Sequence, residues 1–164
     1  MLNIKEAIIV DLRSNPGGLL TNAIYIANML LKDSVIVSTV DRDGYKETQR
    51  SLSTVLTNQP VVVLINGGSA SASEVLAGSL KDNINATLIG IRTYGKGTVQ
   101  KTKTLSSGAM IKYTVQEWLT PNGNKVNGVG INPDYVITLD EKYFNIANYF
   151  GNSFSKYFCY LEYI

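Results

Sequence analysis

The chain has 164 residues, 45% hydrophobic and 17% charged, which is enough for one globular domain with a sizeable core. The formal net charge of +2 is too small to favour nucleic acid or an anionic membrane as a partner, and no apolar run reaches the roughly 18 residues of a membrane span. The sequence contains no histidine, so a Ser-His-Asp or Cys-His mechanism within this chain is excluded.

Residues 7–91 alternate between predicted strands and predicted helices. Short apolar runs bounded by turn residues predict buried strands, and apolar residues at helical spacing predict helices. In chain order these are a strand over 7–12, a helix over 19–31, strands over 35–40 and 61–66, a helix over 70–80 and a strand over 86–91. Such alternation predicts a mostly parallel α/β core.

The pattern changes after residue 97. Two β-rich segments, 98–105 and 109–119, are joined by a short Ser-Ser-Gly turn and predict an antiparallel hairpin. A loop rich in Gly, Asn and Pro follows over 120–134. The predicted fold class is therefore α/β, with mostly parallel strands and helices and an antiparallel hairpin extension.

The C-terminal segment differs in composition from the rest. Nine aromatic residues lie between Tyr143 and Tyr163, and Tyr143, Phe150 and Phe154 recur at roughly helical spacing. We therefore expect a core over 1–140 and an aromatic-rich helical tail over 141–164. The tail is interpreted either as a helix docked on the core or as a contact between copies of the chain, because aromatic residues are enriched at interfaces.

Small residues fill the turn between the strand at 61–66 and the next helix, in the stretch GGSASASE at 67–74. A serine here stands at the end of a sheet with helix amides pointing towards it, which suits attack on a carbonyl because negative charge develops on its oxygen. The stretch also matches a capping box, in which Ser71 satisfies a helix amide and Glu74 reaches back. Ser69, Ser71 and Ser73 are all candidates as the nucleophile.

Lys96 lies between two glycines in the stretch GIRTYGKGTVQ at 90–100. A phosphate-binding loop needs Ser or Thr directly after its lysine, and Gly97 stands there, so nucleotide binding is disfavoured. A lysine serves as a general base when burial lowers its pKa, and a Ser–Lys pair is a known solution without histidine. The alternative to a catalytic role is that Lys96 is an ordinary solvent-exposed lysine in a loop.

A third candidate is the turn NPGG at 15–18, after the first predicted strand. Its glycines allow close approach of the backbone to a ligand. The segment is either an ordinary turn or the donor of a backbone amide to an oxyanion.

Four segments, in this order, resemble blocks of the carboxyl-terminal processing peptidases, also called tail-specific proteases. They lie at 11–20, 66–74, 92–100 and 119–134. The resemblance covers about residues 7–137 and implies a ClpP/crotonase-like fold.

The resemblance also implies a Ser–Lys dyad. It assigns the nucleophile to Ser71, the general base to Lys96 and support of that lysine to Gln100. An even offset between Lys96 and Gln100 places both side chains on one face of an extended segment.

The implied oxyanion hole is the amide of Ala72 together with that of Gly17 or Gly18, a choice that the sequence leaves open. Asp82 matches by position an aspartate that is important in some members of the family. No cofactor and no metal ion are implied.

The implied activity is that of a serine endopeptidase that cleaves unfolded or tagged proteins near their C-termini. The alternative is a non-catalytic or resting-state fragment of the same fold that acts as a peptide-binding or scaffold module. Family members usually carry a PDZ domain and further core segments before the first matching block, and we expect neither in this chain. Members are mostly exported, so the resemblance implies an extracytoplasmic location in the periplasm or cell envelope.

Overall fold

The computed structural model describes residues 7–138, which form two four-stranded sheets and two helices. The elements are β1 (Ile8–Asp11), α1 (Leu20–Leu30), β2 (Val35–Asp41), β3 (Lys46–Arg50), β4 (Val61–Ile65), α2 (Ala72–Ile84), β5 (Thr87–Gly90), β6 (Thr98–Thr104), β7 (Met110–Leu119) and β8 (Tyr135–Val136). The aromatic tail predicted over 141–164 lies outside the described residues. Within residues 7–138, neither helix has the length and apolar character that a membrane crossing requires.

The first sheet is parallel throughout and has the strand order β1-β4-β5-β8. Its central strand β4 is apolar at every position, as expected for a strand in the middle of a parallel sheet. Because the strands run in the same direction, the turns after β1, β4 and β5 leave from one edge of the sheet. The three segments singled out in the sequence therefore meet at that edge.

The second sheet is antiparallel, with the order β3-β2-β7-β6. The α/β class is confirmed, and the antiparallel part is larger than the predicted hairpin because β2 pairs with β7 rather than joining the parallel sheet. Strand β3 is not among the strands that the sequence predicts. All five of its residues are exposed, so it carries no hydrophobic periodicity, and backbone pairing with β2 makes it a strand.

The core lies between the helices and the inner faces of the sheets. Leu12, directly after β1, and side chains from β4, α2 and β5 are fully buried there, among them Val63, Leu76, Leu80 and Leu88. Complete burial of a side chain of this size contributes about 1.5–3 kcal/mol. Trp118 of β7 is only 4% exposed and packs in the same cluster, which joins the antiparallel sheet to the core.

Candidate active site

Three connections meet at the carboxyl edge of the parallel sheet. We call them the glycine turn (residues 12–18, after β1), the serine turn (66–71, after β4) and the lysine loop (91–97, after β5). Clefts at this edge are the usual ligand sites of open α/β sheets.

The structure separates the three serines of the serine turn and the start of α2. Ser69 and Ser73 are fully buried, and Ser69 Oγ donates to the carbonyl of Leu12 at 2.6 Å. Ser71 is partly exposed and lines a pocket. Of the three candidates, Ser71 is thus the one whose hydroxyl a substrate can reach.

The backbone of Ser71 is strained, with φ 56° and ψ −118°. A residue with a side chain in this region costs on the order of 1–3 kcal/mol, and such residues concentrate at functional sites. Ser71 and Glu74 occupy the two positions of the predicted capping box, although Ser71 Oγ makes no capping hydrogen bond. The second hydrogen bond of the capping box is formed, from Ser71 N–H to Glu74 Oε2 at 2.9 Å.

Hydrogen bonds tie the glycine turn to the serine turn. Ser14 N–H donates to Asn66 Oδ1 at 2.7 Å, and Ala70 N–H donates to the carbonyl of Asn15 at 3.0 Å. Gly17 has φ +84°, and a Cβ at this position would lie 2.7 Å from Ala72 N. Only glycine allows the two turns to approach this closely.

Both backbone polar groups of Lys96 are anchored. Its N–H donates to Glu74 Oε2 at 2.9 Å, and its carbonyl accepts from Trp118 Nε1 at 2.9 Å. The side chain is exposed and lines the same pocket as Ser71. The fold therefore fixes the backbone of Lys96 beside the pocket that this residue lines.

The pocket has a volume of about 320 Å³. Ser71, Lys96 and Gln100 share its lining with the apolar side chains of Leu20, Val37, Val75 and Trp118. In the described part of the chain, no hydrogen bond joins Ser71 Oγ to Lys96 Nζ. Ser71 and Lys96 thus line one cavity without a hydrogen bond between their side chains.

The backbone amides of Gly17 and Gly18 differ in how available they are to a ligand. Ala72 and Gly18 both line the pocket, and Ala72 is the first residue of α2. The N–H of Gly17 donates to Asn15 Oδ1 at 3.0 Å. Its amide is thus already engaged, whereas Gly18 is exposed at the pocket wall.

Asp82 does not line this pocket. It lies near the end of α2, about 15 Å along the helix axis from Ala72 at 1.5 Å per residue. Its carboxylate accepts from the N–H of Asn122 at 3.0 Å and holds the turn after β7.

Sequence reasoning missed two buried groups beside the site. The sequence indicates Glu74 only as the capping partner of Ser71, and it does not single out Thr93. The structure places the Thr93 hydroxyl 2.5 Å from Glu74 Oε1. A glutamate at the third helical position was visible in the sequence, but its other partners come from a loop about twenty residues later. Among residues 7–138, no cluster of three His, Cys, Asp or Glu residues offers a metal site.

Comparison with known proteins gives consistent relatives. The carboxyl-terminal-processing protease of Synechocystis is 48% identical over 132 residues, which are 80% of this chain and 31% of the relative. The carboxy-terminal-processing protease of Bartonella bacilliformis is 42% identical over 142 residues, covering 84% of this chain and 33% of that protein.

A solved structure, the photosystem II D1 C-terminal processing protease, superposes with a TM-score of 0.77 at 37% identity. The match covers 80% of this chain and 34% of that one, so the chain spans about a third of the length of these relatives. A model of peptidase family S41 matches residues 2–137. The chain belongs to peptidase family S41.

Proposed function

We propose that the chain forms the catalytic core of a serine endopeptidase that acts through a dyad of Ser71 and Lys96. One observation carries this proposal. Of the three serines near the start of α2, the one with a strained backbone shares a pocket with Lys96 and Gln100. A Ser–Lys pair supplies a nucleophile and a base in a chain without histidine.

In the proposed reaction, neutral Lys96 takes the proton from Ser71 Oγ, which attacks a peptide carbonyl. The N–H of Ala72, at the positive end of α2, and the N–H of Gly18 stabilise the oxyanion. The C–N bond breaks, the amine leaves with the proton from Lys96, and an acyl-enzyme remains. Water activated by Lys96 then hydrolyses the ester and restores Ser71.

Gln100 is proposed to orient the amine of Lys96. Both residues line the pocket, and Gln100 lies on β6, two residues beyond the start of that strand. A carboxamide oxygen accepts a hydrogen bond from an amine without adding charge. This leaves Lys96 free to exchange its proton with Ser71.

Substrate binding is proposed to complete the dyad. Ser71 Oγ and Lys96 Nζ are not hydrogen-bonded to each other, and Lys96 is exposed. A peptide in the pocket would displace water from the amine, which favours the neutral form that a base requires.

The proposed substrates are C-terminal segments of proteins, in line with the names of the relatives. The apolar part of the pocket, with Leu20, Val37 and Val75, suits a small apolar side chain beside the cleaved bond. In the described sheet β6 is an edge strand, and an extended peptide can pair with such an edge.

A location outside the cytoplasm is also proposed, and fractionation of cells that produce the full chain tests it.

The test compares cleavage of a fluorogenic peptide by the full chain, Ser71→Ala and Lys96→Met, with Lys32→Met as an exposed-lysine control. We expect kcat to fall at least about 10³-fold in both dyad variants and to stay unchanged in the control. Intact-mass spectrometry should detect an acyl adduct on the wild type that Ser71→Ala lacks. Cleavage by Ser71→Ala at the wild-type rate would overturn the proposal.

A second candidate function is a peptide-binding module without catalysis. The missing bond between Ser71 Oγ and Lys96 Nζ favours it. Binding of the peptide by the wild type without cleavage and without an acyl adduct would support this alternative.

A further inference from the structure

The carboxylate of Glu74 is fully buried and accepts four hydrogen bonds. Oε1 accepts from the hydroxyl of Thr93 at 2.5 Å and from the N–H of Gly95 at 2.7 Å. Oε2 accepts from the N–H of Ser71 and from the N–H of Lys96, both at 2.9 Å. All four partners are donors, which matches the acceptor capacity of a carboxylate.

One oxygen of Glu74 thus holds the backbones of both proposed dyad residues. Two bonds of 2.9 Å to Oε2 keep the amide nitrogens of Ser71 and Lys96 within reach of a common atom. The carbonyl of Lys96 is also anchored. The strained φ of Ser71 has to be held by such bonds, because a residue with a side chain keeps this conformation only where its surroundings fix it. Together with the bond from Tyr94 N–H to the carbonyl of Ser69 at 3.0 Å, this carboxylate therefore sets the distance between the serine turn and the lysine loop.

Thr93 fixes the carboxylate from the other side. Its hydroxyl oxygen accepts from the N–H of Ile131 at 2.7 Å while its proton goes to Glu74. The backbone N–H of Thr93 donates to the carbonyl of Ile131 at 3.1 Å. A chain of bonds therefore runs from residue 131 through Thr93 and Glu74 to the dyad, and Thr93 is only 3% exposed.

A helix cap alone does not explain this arrangement. Within residues 7–138 no ion pair involves Glu74, so a buried carboxylate is held by neutral donors alone. Burial of such a group is unfavourable unless every oxygen is well bonded. Glutamine would also complete a capping box, but its NH₂ group would face N–H donors.

We infer that Thr93 and Glu74 are positioning residues, which hold the backbones of Ser71 and Lys96 in register for proton transfer. The inference rests on the proposed function, because it concerns the geometry of the same dyad. Neither side chain lines the pocket, so neither touches the substrate. Their effect is on the rate of the chemical step rather than on substrate affinity.

The test uses three variants of the full chain. Thr93→Val removes the hydroxyl at nearly constant shape, and Thr93→Ser retains it. Ser79→Ala is the matched control, since Ser79 is fully buried on α2 and its Oγ donates only within the helix, to the carbonyl of Leu76 at 2.8 Å.

Peptide cleavage gives the first readout. We expect kcat to fall at least about tenfold in Thr93→Val while KM changes less than about threefold, because small misplacement of catalytic groups slows chemistry strongly. Thr93→Ser should recover most of kcat, and Ser79→Ala should keep it. Wild-type kcat in folded Thr93→Val, or an equal fall in Ser79→Ala, would overturn the inference.

Amide hydrogen exchange gives a second readout that does not require activity. Exchange at Ser71, Gly95, Lys96 and Ile131 should accelerate in Thr93→Val and remain slow in Thr93→Ser and Ser79→Ala. Unchanged exchange in Thr93→Val would show that the hydroxyl does not hold these groups and would overturn the inference. An inactive wild type that shows the expected exchange pattern would overturn the proposed function instead.

If Thr93→Val does not fold, Glu74→Gln serves in its place. It keeps the side-chain length and turns an amide towards the same donors. Faster exchange at Lys96 with reduced kcat would support the inference, and wild-type behaviour in both readouts would overturn it.

Discussion

At the scale of single residues, close backbone packing decides how Lys96 is presented. The lysine loop lies against residues 126–130. Gly95 is buried at this contact, and the N–H of Gly128 donates to the carbonyl of Gly95 at 2.9 Å. A Cβ on Gly97 would lie 2.4 Å from Asn127 N and 2.6 Å from Asn127 Cβ. Glycine is therefore required at position 97 because a side chain would collide with the backbone at Asn127, not because this position needs backbone flexibility.

Gly97→Ala should accordingly destabilise the fold, by about 1–3 kcal/mol, as expected for overpacking. Gly67→Ala is the control for stability, because a Cβ there meets nothing within 4 Å. Denaturant unfolding of both variants measures the difference. Equal midpoints for the two variants would contradict the prediction.

At the scale of elements, one ion pair fastens the last strand to the end of α2. Lys81 Nζ lies 2.8 Å from Asp134 Oδ1, and Asp134 Oδ2 accepts from the N–H of Leu88 at 2.9 Å. Burial acts to raise the pKa of Asp134, but the bond to Lys81, the bond from Leu88 and the charge of Lys81 together hold this pKa below its ordinary value. The segment that enters β8 is thus attached to both β5 and α2.

Stability should therefore depend on pH through Asp134. A carboxyl whose pKa is lowered by folding adds stability above its unfolded pKa of about 3.9, and this stability is lost as pH falls through the lower folded value. Asp134→Asn should be less stable than wild type above about pH 4, and the difference should shrink in more acidic solution. Because the Asp134 side chain is 40% exposed, the effect should stay within about 1 kcal/mol.

Urea unfolding of wild type and Asp134→Asn between pH 2 and 7 would measure this difference. Lys81→Met is the matched variant, since it removes the partner and should reduce the same acid-side dependence. A difference between wild type and Asp134→Asn that does not change with pH would contradict the assignment.

At the scale of the whole molecule, α2 contributes to both the core and the site, because it is buried from Ala72 to Leu80 and its first turn also lies at the pocket. The first turn of α2 carries Ala72 and Glu74 beside the pocket, and Leu80 is fully buried in the core nearer the other end. Because Leu80 does not line the pocket, its substitution is expected to change stability more than the geometry of the site.

Leu80→Ala should lower the free energy of unfolding by about 2–5 kcal/mol, the cost of lost burial and a residual cavity. Ile84→Ala, at a position 39% exposed, should have a much smaller effect. Activity per folded molecule should remain near wild type for both, measured well below the unfolding temperature. A fall in that activity parallel to the loss of stability would show that core and site are coupled.

Much of the fold follows from local sequence. Apolar runs predict β1, β4 and β5, helical spacing predicts α1, and the Ser-Ser-Gly turn predicts the β6–β7 hairpin, all within a few residues of their observed bounds. The segments around Ser71 and Lys96 could also be identified, since small residues and glycines at turns after strands are a local signal. These features depend on neighbours in the chain, and so the sequence by itself determines them.

Other features depend on partners far away in the chain. Strand β3 is polar on every side and β8 has only two residues, so only pairing with β2 and β5 makes them strands. Burial removed Ser69 and Ser73 as candidates, and the length of α2 put Asp82 away from the pocket. The four donors on Glu74 come from two segments that the parallel sheet brings to one edge. Only the tertiary structure could decide these points, because burial and long-range hydrogen bonds arise from packing and leave no periodic trace in the sequence.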